Sequence, residues 1–148
     1  MKLSKNIWNN KNLVKILKDN GVVVIPTDTL YGIVGRAGDE QVVERIYKLR
    51  KRNPEKPCII LIGRLSELKK FGVILTKMQK YIIEKYKRPT SFIIDCANDS
   101  FSYLHRGTKT LAFRVPSPKP LRDLLIKVGP LIAPSTNPEG LTPACTPI

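Results

Sequence analysis

Four groups of side chains in this sequence bear charge or hydrogen-bonding chemistry. The first is Pro26-Thr27-Asp28-Thr29-Leu30-Tyr31-Gly32-Ile33. Two hydroxyls, a carboxylate and a phenol crowd into five positions directly after the apolar run Val22–Ile25. That run reads as a buried strand, and proline ends its ladder because it has no N–H. In open α/β sheets, ligands bind beyond the carboxyl ends of strands, so the segment fits a pocket wall. An ordinary strand exit, with Asp28 and the threonines bonding their own backbone, accounts for the same residues. Both readings stand at this point.

The second group is basic. Arg50, Arg52 and Lys56 follow a helical pattern and precede a second apolar run. Arginine forks pair bidentately with phosphate and lysine adds a point charge. A solvated helix C-terminus, where cations suit the dipole, explains the same charges more simply. The third group is Thr110-Leu111-Ala112-Phe113-Arg114-Val115-Pro116. An unpaired guanidinium among strand hydrophobics is costly, so Arg114 requires a buried acid or an anionic ligand such as a carboxylate. The fourth is Pro134-Ser135-Thr136-Asn137-Pro138-Glu139-Gly140, where Ser135 and Asn137 offer donors and acceptors just past a strand end. A capped Asn-Pro turn fits these residues too.

Several chemistries are excluded. The sequence has no G-x-x-x-x-G-K-[ST] loop, no G-x-G-x-x-G, no H-E-x-x-H and no G-x-S-x-G. Cys58, Cys96 and Cys145 are widely spaced and His105 is the single histidine, too few ligands for a structural zinc. Cys58 and Cys96 lie in apolar runs and are expected to be buried free thiols of a reducing compartment.

The elements that must position these groups follow from period and punctuation. Leu13, Val14 and Leu17 put a helix over Lys11–Lys18, which Asn20-Gly21 stops. Val22–Ile25 is a strand. Asp39 caps a helix to about Arg50 with Val42, Val43, Ile46 and Tyr47 inward. Cys58–Ile62 is a second buried strand. Ser66–Phe71 is a short helix ended by Gly72, and Thr76 with Gln79 forms a capping box. The helix behind that box runs to Tyr86 with Met78, Ile82 and Tyr86 inward. Ser91–Cys96 and Thr110–Val115 are strands. Ser117 caps a helix with Pro118 at its first position, carrying Leu121, Leu124, Leu125 and Val128 inward to Gly129. Leu131–Ala133 is a last short strand. Mixed alternation of strands and helices predicts a single α/β domain on a twisted mixed sheet flanked by helices.

The chain has 148 residues and a net charge of +14. That length suits one core. Such a charge favours polyanions: RNA, nucleotides or anionic surfaces. The longest apolar runs are too short to cross a bilayer, and no apolar segment follows Met1-Lys2-Leu3-Ser4-Lys5-Asn6, which points to the cytoplasm and to no membrane partner.

Taken together, the four groups resemble the YrdC-like family of threonylcarbamoyl-AMP synthases. The order matches: PTDTLYGI at 26–33, a K-x-R-like element and K-P at 50–57, RVP at 114–116, and S-x-N with a following glycine at 135–140. The similarity runs from about Gly21 to the end of the chain. The resemblance implies an ATP-dependent reaction with Mg2+ on the phosphates. L-threonine and bicarbonate (or CO2) form an N-carboxylated threonine that attacks the α-phosphorus, giving threonylcarbamoyl-adenylate and pyrophosphate. A partner threonylcarbamoyl transferase then modifies the adenosine beside the anticodon of tRNA.

By the same resemblance, Thr29, Arg114 and Ser135 bind L-threonine. Arg52, Lys56, Thr110, Asn137 and Thr146 bind ATP. Arg50, Asp28 and Tyr31 support the site. No side chain is implied as nucleophile or base, because adenylation can proceed through positioning and charge neutralisation. Arg50 stands where the family usually has lysine, and Glu139 where it usually has serine. The family's Trp-Pro-Gly-Pro stretch corresponds to Arg88-Pro89-Thr90-Ser91. The family domain continues past the equivalent of Ile148 and takes a further serine and arginine from there, so 1–148 reads as a YrdC-like domain without that part. Two other readings accompany this one: a non-catalytic binder of tRNA or double-stranded RNA, and a carbamoyl-transfer maturation domain of related fold.

Overall fold

A computed structural model describes residues 7–86 and 90–135. Helix α1 covers Lys11–Lys18, and the Asn10 side chain caps it by accepting from the Asn12 and Leu13 amides. Helix α2 covers Glu40–Arg50, with Asp39 accepting from the Val42 amide and Lys51 ending it in the left-handed region. Both follow the sequence reading, because a polar cap and an apolar stripe agree in each.

The strands are β1 (Val23–Pro26), β2 (Tyr31–Arg36), β3 (Ile60–Leu61), β4 (Phe92–Asp95), β5 (Thr110–Arg114) and β6 (Leu131–Ile132). Among the described residues they form one six-stranded sheet in the order β1-β2-β6-β3-β5-β4. Only β3 and β5 run parallel; the other neighbours are antiparallel.

Period-two alternation sorts this sheet onto two faces. Ile33, Ile60, Ile62, Leu111, Phe113 and Ile132 meet α2, the 3-10 turn Leu65–Phe71 and the short helix Ser102–His105 (α4). Val34, Leu61 and Leu131 meet α1 and helix α5 (Lys119–Val128), whose Leu121, Leu124, Leu125 and Val128 are buried as expected. Gly63 lets α5 come close: a Cβ there would lie 2.7 Å from the Arg122 carbonyl.

Three expectations change. Pro26 is the last residue of β1, as expected, but the chain does not leave the sheet there: Pro26 pairs with Tyr31, and the second half of the Pro26–Ile33 segment is the start of β2. The polar residues make the tip of a hairpin, and Gly32 and Gly35 hid the strand pattern that follows. Helix α3 (Lys77–Lys85) has its Thr76–Gln79 capping box, but Met78, Ile82 and Tyr86 do not point inward. Met78 is 67% exposed and Tyr86 59%. The helix lies by β4, the edge of the sheet, where no second layer among the described residues covers its apolar stripe. Finally, α5 takes Pro118 as its N-cap without a side-chain bond, rather than Ser117. Pro120, inside the first turn, has no N–H, so the start carries one fewer unpaired donor.

Candidate functional site

The face of the sheet that carries Leu61 and Leu131 is only partly roofed. Where the helices stop, Ala133 just after β6, Ile59 just before β3 and Ala112 of β5 stand in register, with Gly32 of β2 diagonally beside Ala133. Backbone bonds set this: Gly32 bridges Ser135, and the Ala133 amide donates to the Ile59 carbonyl. The glycine and the two alanines leave room above them. A Cβ on Gly32 would sit 3.3 Å from both the Pro134 carbonyl and a Thr27 methyl. The result is a cavity of about 360 Å3 walled by Thr27, Thr29, Leu30, Tyr31, Arg52, Pro57, Cys58, Arg114 and Ser135. That volume is typical of small-molecule sites.

Arginine lies on two walls. Arg114 ends β5, with its Nη2 2.9 Å from Asp28 Oδ1 and 3.4 Å from Thr29 Oγ1, and its Nη1 3.5 Å from Ser91 Oγ. The Asp28 side chain is 1% exposed and that of Arg114 is 10%. The buried acid that Arg114 requires is therefore Asp28. The hairpin tip combines both readings of its sequence. Thr27 bonds locally, through its Oγ1 to the Leu30 carbonyl at 2.5 Å, while Asp28 reaches across the sheet.

Arg52 is held differently. Its Nε donates to the Lys56 carbonyl at 3.2 Å and its Nη2 to the Pro57 carbonyl at 2.7 Å. Its guanidinium lies 6.0 Å from the Tyr47 ring centre. Arg106 packs on the same ring at 3.6 Å and pairs with Glu44. Tyr47 in turn donates to the Lys56 carbonyl at 2.5 Å, so one loop, 52–57, is stapled from both ends. Burial pushes the Tyr47 phenol well above its ordinary value, and the neighbouring Cys58 adds to this. Burial also raises the Cys58 thiol, against the pull of Arg52. A raised thiol is a poor nucleophile, which fits a wall residue.

Of the residues singled out in the sequence, Thr29, Tyr31, Arg52, Arg114 and Ser135 line this one cavity. Asp28 stands behind Arg114. Arg50 is buried rather than solvated, and its Nη2 donates to Ser135 Oγ at 3.2 Å, tying α2 to the cavity rim. Thr110 shares the face of Ala112 and Arg114 on β5 but bonds Thr108 and lies outside the lining. The Lys56 side chain is exposed and off the lining, and its carbonyl is what fixes the loop. Asn137 and Thr146 lie outside the described residues, as do Cys145, Glu139, Arg88 and Pro89. Cys58 and Cys96 are buried free thiols. Sequence reasoning missed the small-residue floor and the Tyr47–Arg106 stack. Glycine and alanine at alternating strand positions were the available signal for the first.

A hollow of similar size, about 340 Å3, lies between α3 and the β5–α5 link, lined by Leu65, Ile83, Tyr86, Val115 and Pro116 among others. Its arginine, Arg122, is spent on the Pro116 and Ser117 carbonyls. Among the described residues, no group of three or more His, Cys, Asp or Glu gathers to hold a metal, and no helix is long and apolar enough to cross a membrane.

Fold and cavity together define a mixed-sheet α/β domain with a two-arginine pocket on an open sheet face. The sequence model of the Sua5/YciO/YrdC group, described as telomere recombination, matches residues 15–148. The chain belongs to that family. Threonylcarbamoyl-AMP synthase of Bacillus subtilis (strain 168) is 30% identical over 129 residues, covering 84% of this chain and 37% of that protein. The enzyme of the same name from Enterobacter sp. (strain 638) is 28% identical over 137 residues, covering 90% and 72%. The chain thus spans little more than a third of one relative and most of the other. Among solved structures, Sua5 of P. abyssi complexed with L-threonine superposes with a TM-score of 0.76 at 22% identity, over 91% of this chain and 40% of that one. YciO of E. coli gives 0.68 at 26%, over 89% and 64%. Full-length HypF in a phosphate- and nucleotide-bound form gives 0.77 at 19%, over 90% of this chain and 21% of that one.

Proposed function

We propose that this chain makes L-threonylcarbamoyl-adenylate from L-threonine, bicarbonate or CO2, and ATP, for transfer to tRNA by a partner threonylcarbamoyl transferase. The observation that carries the reading is the pairing of two differently held arginines across one small cavity. Arg114, backed by Asp28 and beside Thr29, anchors the amino-acid carboxylate, and Ser135 closes that end. Arg52, oriented by carbonyls and so keeping its full charge, receives the ATP phosphates, and Lys56, Thr110, Asn137 and Thr146 are the further ATP-binding residues of this reading. Mg2+ enters with ATP as part of the substrate. The small floor lets the two ligands lie side by side on the sheet, so the N-carboxylated amine and the α-phosphorus meet by positioning alone. No side chain is asked to act as nucleophile. The relatives named threonylcarbamoyl-AMP synthase and the neighbour solved with L-threonine support the substrate class.

The test is release of pyrophosphate from ATP, Mg2+ and bicarbonate with and without L-threonine. Threonine-dependent pyrophosphate is the expected result; its absence, with an active relative beside it, refutes the proposal. The net charge of +14 supports a second reading, retention of tRNA or double-stranded RNA without turnover. That reading requires RNA binding that weakens steeply with salt.

A further inference from the structure

The two arginines of the cavity are oriented by groups of opposite electrostatic consequence. Main-chain carbonyls hold Arg52 through Nε and Nη2 and leave its charge in place. A carboxylate holds Arg114 and cancels its charge at 2.9 Å. Asp28 is not on the cavity wall, its side chain is 1% exposed, and its Oδ2 has no hydrogen-bond partner among the described residues. A carboxylate buried this deeply feels little screening from water. It therefore both fixes the guanidinium, which otherwise carries several free rotors, and repels any strongly negative group brought to it.

We propose that Asp28 is a positioning and specificity-determining residue: it locks and neutralises Arg114, so that this end of the cavity takes a small zwitterionic carboxylate and turns phosphate away toward Arg52. The inference rests on the reading of Arg114 as the carboxylate anchor. Its logic is one of net charge. The Arg114–Asp28 pair sums to zero, and so does an amino acid. Phosphate at neutral pH carries one to two negative charges and meets the buried carboxylate as a like charge. Discrimination of this sort works through a repulsive element as much as an attractive one. A cavity that must seat a triphosphate beside a carboxylate gains from such an element, because a bare arginine would bind either anion.

The experiment uses the full chain and Asp28→Asn, which keeps the shape and removes the charge. L-threonine is titrated calorimetrically with and without inorganic phosphate, and phosphate is titrated alone. In the wild type, phosphate leaves the threonine affinity within twofold. In Asp28→Asn, phosphate competes, and the ratio of threonine to phosphate affinity falls about tenfold. Adding Arg114→Met to that variant abolishes the competition. A merely structural role would lower the melting temperature and both affinities together, and an unchanged ratio overturns the proposal. If the wild type binds no L-threonine, the reading of Arg114 as its anchor fails. Phosphate alone then decides the role of Asp28: an added phosphate site in Asp28→Asn, lost with Arg114→Met, supports it, and equal phosphate binding overturns it. Should Asp28→Asn not fold, the wild type decides, since displacement of threonine by phosphate overturns the proposal outright.

Discussion

Replacing Arg114 by methionine keeps an unbranched apolar stem in place and removes the charge. Asp28, 1% exposed, then faces the interior without its 2.9 Å partner. Breaking a buried pair in this way costs roughly 3–5 kcal/mol. In a domain of this size each kcal/mol lowers the melting temperature by about 2–4 °C. Arg114→Met should therefore melt about 6–20 °C below the wild type at pH 7. Adding Asp28→Asn should recover most of the loss, because both charges are then gone. Circular-dichroism melts of the three proteins measure this. A drop of less than about 3 °C, or a double variant no more stable than the single one, would refute the account of the pair.

Three further outcomes are expected. Arg52→Ala should weaken ATP by about 10- to 150-fold, the equivalent of one charge-assisted bond of roughly 1.5–3 kcal/mol, while L-threonine affinity measured alone stays within about twofold; equal losses of both ligands would show that the loop 52–57 had collapsed instead. Gly63→Ala should destabilise by about 1–3 kcal/mol in urea melts, since its methyl meets the Arg122 carbonyl, which cannot swing aside as the neighbouring Ile126 side chain can. The buried Tyr47 phenol and Cys58 thiol both ionise later in the folded protein than in the unfolded chain. Above about pH 8.5 for the thiol and about pH 10 for the phenol, the unfolded chain therefore holds fewer protons and stability falls as pH rises. Tyr47→Phe should flatten that decline above about pH 10 in pH-dependent melts, and an identical slope would count against it.

The sequence made plain whatever depended on neighbours along the chain. Asp39 and Thr76 announce helix starts because their side chains bond amides three residues on. Leu121, Leu124, Leu125 and Val128 announce a buried face because helical period alone gathers them. Arg114 could be read as needing an anion, but which anion depended on a sheet register linking it to residue 28. Arg50 resembled any helix-end cation, since nothing local reveals that Ser135 will arrive beside it. Met78, Ile82 and Tyr86 were misread for the converse reason: their period is genuine, and the missing partner layer is a property of the sheet edge. The hairpin escaped notice because its tip is polar and its second strand carries glycines where bulk was expected.

The placing of β6 has a consequence for how this chain is made. β1 with β2, and β3 with β5 and β4, can each pair before β6 is made, and among the described residues it is β6 that joins the two pieces. Gly35 waits for Ile132, roughly a hundred residues later in synthesis, and until then two strand edges stand open to the wrong partners. The cavity floor lies across the same seam, with Gly32 on one piece, Ala133 on the joining strand and Ile59 and Ala112 on the other. That floor is incomplete until β6 docks, and whatever binds afterwards holds the two pieces together by mass action. In a growing chain the substrate would act as the clasp on a fold that has only just met itself.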